Sequence, residues 1–419
     1  MERDEEKANE RSRDELPSPL HGEADGLISF DEASAILREA AGPLEEALVA
    51  IDEAAGLRLS RSVEARINAP RFDVSAMDGY AVRDTDLPGP LRIVGKSYAG
   101  SQAPAGISQG EAVRIFTGAP VPEGADRVLV QEIVEARGER LEIAGDYGEA
   151  RHIRARGSDF REGDTLLEAG TRLGPRQLVG AAAADCAGVR VWRAPRVAFL
   201  ATGDELVAPG AAADRPGALP DSITPALAEM ARQYGATIVG SEVAPDDPDR
   251  IEELAAQLLA RCDVLVTIGG ASVGERDFAS RSIEGQDFRT LFSRIAMRPG
   301  KPVWSAKGAG GRLVLGLPGN PTSALVTARL FLAPLVTALA GGGYDEVLGW
   351  RELELTEDLP APGPREHFGR GALWDGKAVP FANQQSGAQA LLAKADLLLR
   401  QAGGSDGLSA GQTVQALDF

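Results

Sequence analysis

The sequence predicts a multidomain chain of mixed α/β and β structure, built around a doubly wound α/β domain. From Arg196 to Gly341, apolar strand-like runs alternate with amphipathic helix-like runs, the order a mostly parallel sheet requires. From Asn68 to Asp146 the runs are short, β-rich and separated by Gly or Pro turns, with helix-like segments on both sides. After Gly341-Gly342-Gly343 the helical periodicity stops and strand-like segments follow. These three observations give a doubly wound α/β domain, a β-domain inserted into a helical one, and a C-terminal β-barrel-like domain.

The elements follow in order. Residues 1–26 are charge-dense, carry Pro17 and Pro19, and are expected to be a disordered tail. Ser29 and Glu32 have capping-box spacing ahead of a helix through Ala41, and a second helix is expected from Pro43 to Ala55. With Leu173–Val179 and the Ala-rich run to Cys186, they make a helical N-terminal domain of residues 27–67 plus 147–194. The segments LRIVGKSYAG, AVRIFTGAPV, RVLVQEIVEA and LEIAG fill the inserted β-domain, 68–146. In the α/β domain, 195–341, VAFLAT, TIVGSEVA, DVLVTIGG and RLVLGLP are strands, while ITPALAEMARQYG and PDRIEELAAQLLARC are helices. RELELTEDL, GRGALWDGKAVPFA, ADLLLRQA and TVQALDF are the strands of the C-terminal domain, 344–419, with Asp375-Gly376 as a hairpin turn.

Composition narrows the function. With 43% hydrophobic and 25% charged residues, the 419-residue chain is ordinary globular material. Its 44 basic and 62 acidic residues leave a net charge of −18, which argues against nucleic-acid or anionic-membrane binding. An anionic substrate must then be held by local basic groups and backbone N–H donors. No apolar run of about 18 residues is free of charge or Pro, so no transmembrane span is expected, and the N-terminus lacks the apolar region of a secretory signal. Cys186 and Cys262 are too few for a disulfide framework or a structural zinc site, which fits a cytoplasmic protein. His21, His152 and His367 fall in no metal-ligand or triad spacing, so neither a Ser-His-Asp hydrolase nor a His-based zinc enzyme is expected.

Four predicted turns lie at strand ends of the α/β domain, where ligands bind in such sheets. In Leu313–Ser323 a buried-strand pattern enters an apolar helix through Pro318-Gly319-Asn320-Pro321. Asn320 suits the N-cap and Pro321 the first helical position, which needs no N–H. Free N–H groups there favour anions by about 0.3–1 kcal/mol per charge when exposed, so the turn formed by Pro318, Gly319 and Asn320 is a candidate holder of a phosphate-like ligand. The other turns are Thr202-Gly203-Asp204-Glu205-Leu206, Pro245-Asp246-Asp247-Pro248 and Ala271–Asp277, the last carrying Ser272 and Gly274. Mg²⁺ binds through one or two carboxylates plus substrate phosphates, so Glu205, Asp246 and Asp277 are its candidate holders. Asp246 and Asp247 are also placed to cap the helix that starts near Pro248.

Arg294, Arg298 and Lys301 surround a Pro-Gly turn; Arg suits bidentate contact with oxyanions and Lys acts as a point charge. In the insert, Asp73–Ala81 groups an acid, a hydroxyl and an aromatic around one glycine turn, and Thr117–Pro122 follows a strand into a rigid loop. Asp78 is read either as a site residue or as a hairpin-turn residue, because Asp-Gly is a hairpin signal.

Together these segments resemble one family. SAMDGYAVR (Ser75–Arg83), TGAPVPEGADRVLVQE (Thr117–Glu132), RGSDFREGD (Arg156–Asp164), TGDEL (Thr202–Leu206), GGASVGERD (Gly269–Asp277), RPGKP (Arg298–Pro302) and GLPGNPTS (Gly316–Ser323) are similar to the molybdopterin molybdenumtransferase (MoeA) family, to which the gephyrin E domain is related. The similarity covers about residues 27–419 and is weakest after Gly343. It implies a molybdopterin-binding fold for the α/β domain and a four-domain, elongated homodimer. It implies insertion of molybdate into adenylylated molybdopterin, with Mg²⁺-dependent loss of AMP, as the last step of molybdenum cofactor biosynthesis. The implied site lies between the α/β domain of one protomer and the β-insert of the other.

Carried over by motif, Asp78, Thr117, Asp159, Glu205, Asp246 and Asp277 are implied catalytic residues, Asp159 as the acid of an Arg-x-x-Gly-x-Asp run that begins at Arg154. Ser272, Gly274, Arg294, Arg298, Lys301, Pro318, Gly319, Asn320, Arg370 and Ser386 are implied substrate contacts. Arg294 and Arg298 stand where family members often have Lys, and Asp221-Ser222-Ile223 departs from the usual Asp-Ser-Asn. Adenylyl-molybdopterin and molybdate are the implied substrates and a molybdopterin adenylyltransferase an implied partner, with no nucleic acid and no membrane. Two other activities compete: a peptide-binding scaffold of gephyrin E-domain type, and molybdopterin adenylylation. The acids Glu205, Asp246 and Asp277 favour an enzyme over a scaffold, and the motifs around Asp78 and Thr117 favour the molybdenum step.

Overall fold

The computed structural model describes residues 27–102, 104–270 and 288–419, which fall into two compact units. One is Glu46–Trp192; the other joins the residues up to Glu45 with Arg193–Phe419.

The larger unit is organised on a six-stranded sheet, ordered Thr237–Ala244, Arg196–Thr202, Val264–Ile268, Leu313–Leu317, Trp304–Gly308, Phe288–Phe292. The first four strands are parallel, and Trp304–Gly308 alone runs against its neighbours, so the mostly parallel sheet is present. Alternate residues of Arg196–Thr202 serve opposite faces. Val197, Phe199 and Ala201 join a cluster with Leu227 and Ala231 of helix Thr224–Gln233, whereas Ala198 and Leu200 pack with Leu254 and Leu258 of helix Pro248–Leu259. The strand order reverses between Arg196–Thr202 and Val264–Ile268, and loops leaving adjacent strands there diverge and open a crevice.

Helix Pro321–Leu339 contains a π-helical stretch, Ala328–Leu332. It is long and apolar enough to cross a membrane, but 94% of its apolar window is buried inside the unit, as befits a core helix. Its Arg329 donates from Nε to the Asp418 carbonyl (2.8 Å) and from Nη2 to the Val347 carbonyl (2.8 Å), tying the helix to the last strand.

In the C-terminal part, Arg351–Glu354, Thr413–Asp418, Leu397–Gln401 and Glu366–Trp374 are successive antiparallel neighbours, Lys377–Pro380 pairs with Glu366–Trp374, and Met297–Arg298 adds in parallel. A bridge between Leu355 and Ala378 brings the first strand against the hairpin, so the sheet curls on itself. The hairpin turns at Asp375 and Gly376 with φ of 48° and 73°, as a type I′ turn requires.

The smaller unit holds a six-stranded sheet around Gly79–Val82 and Glu111–Ile115, with Tyr80, Val82, Ala112 and Leu129 in its core. Its flanks correct the helical expectation. Pro43–Ala55 forms no helix: Glu46–Ala50 is a strand, antiparallel to Gly188–Trp192. Residues 27–67 plus 147–194 hold only the α-helices Phe30–Ala40 and Pro175–Ala183 among the described residues, and the rest of their regular structure is short strands. The pairing partner decides this, because Val189 and Val191 bring the strand onto Ala54, Leu59 and Leu173, and packing overrides the helix propensity of Glu, Ala and Leu. Helix Phe30–Ala40 belongs to the larger unit, where Phe30, Ala33 and Leu37 join the main apolar cluster. Its capping box forms as expected: Glu32 N–H donates to Ser29 Oγ (3.1 Å) and Ser29 N–H to Glu32 Oε2 (2.7 Å).

Candidate functional site

The strand ends at the switch point are shaped by glycine. Gly269 has φ +87°, and a Cβ there would lie 3.0 Å from the Thr202 carbonyl oxygen; one on Gly319 would lie 3.2 Å from the Gly269 Cα. Three strand-end turns therefore pack backbone to backbone. Beside them opens a cavity of about 830 Å³, lined by Gly203, Glu205, Asp246, Gly269, Pro318, Gly319 and Asn320. Arg294 and Lys301 line the same cavity. The Asp246 backbone N–H donates to Asp204 Oδ1 at 3.0 Å, fixing the turn that carries its carboxylate.

The two roles weighed for the aspartate pair separate cleanly. Asp247 caps helix Pro248–Leu259, accepting from the N–H groups of Asp249 (3.0 Å) and Arg250 (3.4 Å), while Asp246 lines the cavity. Asn320 occupies the N-cap position before Pro321, with extended backbone and no side-chain cap bond. Its amide does not compete for the N–H groups of the helix N-terminus.

A second cavity, of about 520 Å³, lies against the first, and Gly387 lines both. Its walls include Arg298, Thr322, Ser323, His367, Arg370 and Ser386. The basic run is thus divided: Arg298 lines this cavity, Arg294 and Lys301 the other. Gly300 stands between them at φ +113°, and a Cβ there would meet the Thr327 methyl at 2.5 Å. Only glycine allows the turn to press this closely on the helix.

Arg370 is the most informative side chain here, with 1% of its surface exposed. Its backbone N–H and Nε donate to Gln384 Oε1 (2.9 and 3.3 Å), Nη2 to the carbonyls of Asn383 (3.3 Å) and Gln385 (3.2 Å), and Nη1 to Thr322 Oγ1 (3.5 Å). All these acceptors are neutral. Burial lowers the guanidinium's pKa, and an anion in the cavity would offset the same cost.

In the smaller unit, Asp78 and Thr117 meet: Thr117 donates both its backbone N–H and its hydroxyl to Asp78 Oδ1, each at 2.8 Å. Those bonds, the backbone one first, lower the Asp78 pKa. Two motif segments and the residue before strand Ile153–Arg154 knot together behind the pair. The Ser75 N–H donates to the Ala119 carbonyl (3.0 Å), the Gly118 N–H to that of Ser75 (2.8 Å), and the Ala76 N–H to that of His152 (2.8 Å). The Arg156 N–H donates to Asp73 Oδ1 at 2.7 Å, which holds the loop leading to Asp159. Asp159 is exposed, and no hydrogen bond joins it to Asp78 or Thr117 among the described residues. Ser272, Gly274 and Asp277 lie outside the described residues.

Sequence reasoning placed Thr202 in a strand-end turn without giving it a role and missed Trp304; both line the larger cavity, with a buried hydroxyl and a buried indole N–H that make no hydrogen bond among the described residues. It also missed His367 in the smaller one. No spacing rule marks Trp304 or His367. At Ile223 the amide is not needed for capping: Asp221 Oδ1 accepts from Ile223 N–H (3.2 Å) and Thr224 N–H (3.0 Å) at the start of the helix.

Residues 28–184 match the MoeA N-terminal region (domain I and II), 198–338 a probable molybdopterin binding domain, and 352–419 the MoeA C-terminal region (domain IV). A molybdopterin molybdenumtransferase of Synechococcus elongatus is 32% identical over 402 residues, spanning 93% of this chain and 99% of the relative. The chain belongs to the molybdopterin molybdenumtransferase family. A family member from Haemophilus influenzae is 35% identical over 325 residues, covering 75% of this chain and 78% of its own length. The crystal structure of a molybdopterin biosynthesis MoeA protein from Pyrococcus horikoshii superposes with a TM-score of 0.80 at 29% identity, covering 94% of this chain and 99% of that one. The molybdopterin molybdenumtransferases are transferases, and the 198–338 match falls on the sheet that carries the larger cavity.

Proposed function

We propose that this chain inserts molybdenum from molybdate into adenylylated molybdopterin and releases AMP, with Mg²⁺ required, as the last step of molybdenum cofactor assembly. The observation that carries this reading is the pair of adjoining cavities. One has carboxylates and glycine turns at strand ends; the other has Arg298 and the buried Arg370. The first suits the nucleotide-linked phosphates of the pterin substrate. The second suits a small dianion, because a buried guanidinium with only neutral acceptors gains most from a compact double charge. Molybdate there and pterin phosphates next door would place the reactants side by side, and such positioning is worth several kcal/mol of barrier.

Glu205 and Asp246 are the described residues that fit Mg²⁺. Among the described residues no group of three metal-ligating side chains forms, and two carboxylates completed by substrate phosphates are what this ion favours. Asp277 is the proposed third holder. Bound there, the ion would shield phosphate charge and ease departure of the adenylate. Glu205 and Asp246 would orient the phosphates, Arg294 and Lys301 would neutralise them, and Ser386 would contact the oxyanion beside Arg370.

As the family resemblance implies, we take Asp78, Thr117 and Asp159 to act on the substrate of a second protomer in a cytoplasmic homodimer. An adenylyltransferase would hand over the substrate.

Purified chain given adenylylated molybdopterin, molybdate and Mg²⁺ is expected to release AMP and yield active cofactor. Folded protein that releases none refutes the reading. Supplying ATP and non-adenylylated molybdopterin separates the adenylylating activity, for which no product is expected.

A further inference from the structure

We infer that His367 is a substrate-positioning residue of the small anion cavity, taking up a proton as the oxyanion binds and so acting as its third cation beside Arg298 and Arg370. This deepens the reading of that cavity as an oxyanion site and rests on it.

The geometry points to the proton's place. His367 lies opposite Arg298 in the parallel pairing of Met297–Arg298 with Glu366–Trp374, and opposite Gln401 in the antiparallel pairing on its other side. His367 lines the cavity with Arg298, Arg370 and Ser386. Nδ1 is 3.4 Å from Gln401 Oε1. The amide of Gln401 is oriented by a second bond, from its Nε2 to the Pro360 carbonyl at 3.1 Å, so its oxygen is the atom turned to the ring. An amide oxygen only accepts, so Nδ1 carries a hydrogen and Nε2 of the neutral ring carries a lone pair. Nε2 has no hydrogen-bond partner among the described residues.

In the neutral state that lone pair repels an oxyanion. One proton, taken from solvent to form an N–H bond at Nε2, converts it into a charged donor.

The charges around the ring set the direction of coupling. Arg298 and Arg370 are its cationic neighbours, and Gln401 is neutral. Glu357 and Asp358 line an adjoining cavity of about 730 Å³ that His367 and Arg298 also line. Glu366, the preceding residue, is engaged by Arg400, and Arg365 donates to the Met297 carbonyl (3.5 Å). Burial first, and then the two arginines, hold the imidazole below its ordinary value of 6.5, so it is neutral near pH 7 when the cavity is empty. A dianion offsets all three influences. Binding therefore raises the pKa, and affinity falls as pH rises through the range between the empty and filled values, by up to about tenfold per pH unit.

The test is calorimetric titration of the full chain with sodium molybdate from about pH 6.5 to 8.5, in buffers of different ionisation enthalpy. In this range molybdate remains the monomeric dianion, so any proton taken up is the protein's. The expected result is net uptake of a fraction of a proton approaching one, lost in His367→Gln together with most of the pH dependence, while His367→Gln still binds at high pH. Wild-type binding without proton uptake, or pH dependence that survives in both His367→Gln and His367→Phe, overturns the inference. Thermal melts confirm that each variant is folded. Arg298→Gln separates the two levels: if molybdate affinity survives that change, the oxyanion reading of the cavity itself fails, whatever His367 does.

Discussion

Thr117 places two donors, its N–H and its hydroxyl, on a single oxygen of Asp78, each at 2.8 Å. The motif sequences Ser75–Arg83 and Thr117–Pro122 thus meet at one exposed carboxylate, whose ionised form the two donors favour. The backbone bond is the larger cause, and the hydroxyl bond adds to it, so the Asp78 pKa lies below its ordinary value of 3.8. Replacing Thr117 by Val removes the second bond and leaves the first. The expected outcome is a Asp78 pKa that rises toward, without reaching, the ordinary value, read from carboxyl carbon shifts on titration. The sign for stability follows: the contribution is present above pH 3.8 and is lost as pH falls through the lower folded value. An unmoved pKa in the Val variant would remove the hydroxyl from the account.

Gly316 and Trp304 form a size-matched pair. They face each other in the antiparallel register, and a Cβ on Gly316 would overlap the Trp304 indole. Gly316→Ala is expected to cost about 1–3 kcal/mol through overpacking, measured by urea unfolding. Trp304→Ala alone leaves a cavity and is expected to cost about 3–5 kcal/mol. Because each change relieves the other, the double variant should lose clearly less than the sum, a coupling of roughly 1 kcal/mol or more. Additive losses would mean that the strand shifts to absorb the methyl.

Much of this architecture was legible because the signals were local. The alternation from Arg196 to Gly341, the Ser29–Glu32 capping box and the Asp375-Gly376 hairpin depend on neighbours in sequence, and all three are present. What was not legible depends on distant partners. Glu46–Ala50 is a strand because Gly188–Trp192 pairs with it, and helix Phe30–Ala40 packs in the α/β core because Phe331 and Phe368 offer their rings to Phe30. At the site, the motifs located Glu205, Asp246 and the Gly316–Ser323 turn. They did not reveal that Gly300 splits Arg298 from Lys301, or that His367 stands across from Arg298.

Asp263 lies at the N-terminal end of the interior strand Val264–Ile268, away from the cavity at the strands' carboxyl ends. It accepts from Arg193 Nη1 (2.8 Å) and Nη2 (3.0 Å), and from Arg196 Nη2 (3.0 Å) and backbone N–H (2.7 Å). Burial pulls its pKa upward, but the bonds from Arg193 and Arg196 outweigh it and hold the carboxyl well below the usual range. Its stabilisation is therefore full above pH 3.8 and fades as pH falls through the depressed value. Asp263→Asn is expected to cost about 2 kcal/mol at neutral pH, less than a fully buried pair because Arg196 is half exposed. The deficit should shrink in strongly acidic buffer. A deficit independent of pH would mean that geometry, not charge, is what Asn loses.

The two thiols offer a probe of local packing. Cys262 is 2% exposed, and burial pushes its thiol up to about 12. Cys186 is half-buried and shifted upward more modestly, also by burial. With Ellman's reagent at mildly alkaline pH, Cys186 is expected to react first and Cys262 only on unfolding, because the thiolate is the nucleophile. Two equally fast thiols would contradict the packing of Cys262 beneath helix Pro248–Leu259.

On the proposed reading, changes at Glu205 and Asp246 separate metal-dependent chemistry from oxyanion binding. Both line the larger cavity, whereas Arg370 and Ser386 line the smaller one. Glu205→Gln and Asp246→Asn keep size and remove charge, so each should raise the Mg²⁺ concentration needed for AMP release and lower its maximal rate by about tenfold or more. Chelation with EDTA should abolish release in the wild type. In all three cases molybdate affinity is expected to stay within about twofold, since the affected groups line the other cavity. Arg370→Lys is the converse: the charge remains but the planar fork is lost, so molybdate should bind about tenfold more weakly while the Mg²⁺ requirement is unchanged. A metal requirement that moves with Arg370, or a molybdate affinity that moves with Glu205, would mean that the two cavities act as a single site.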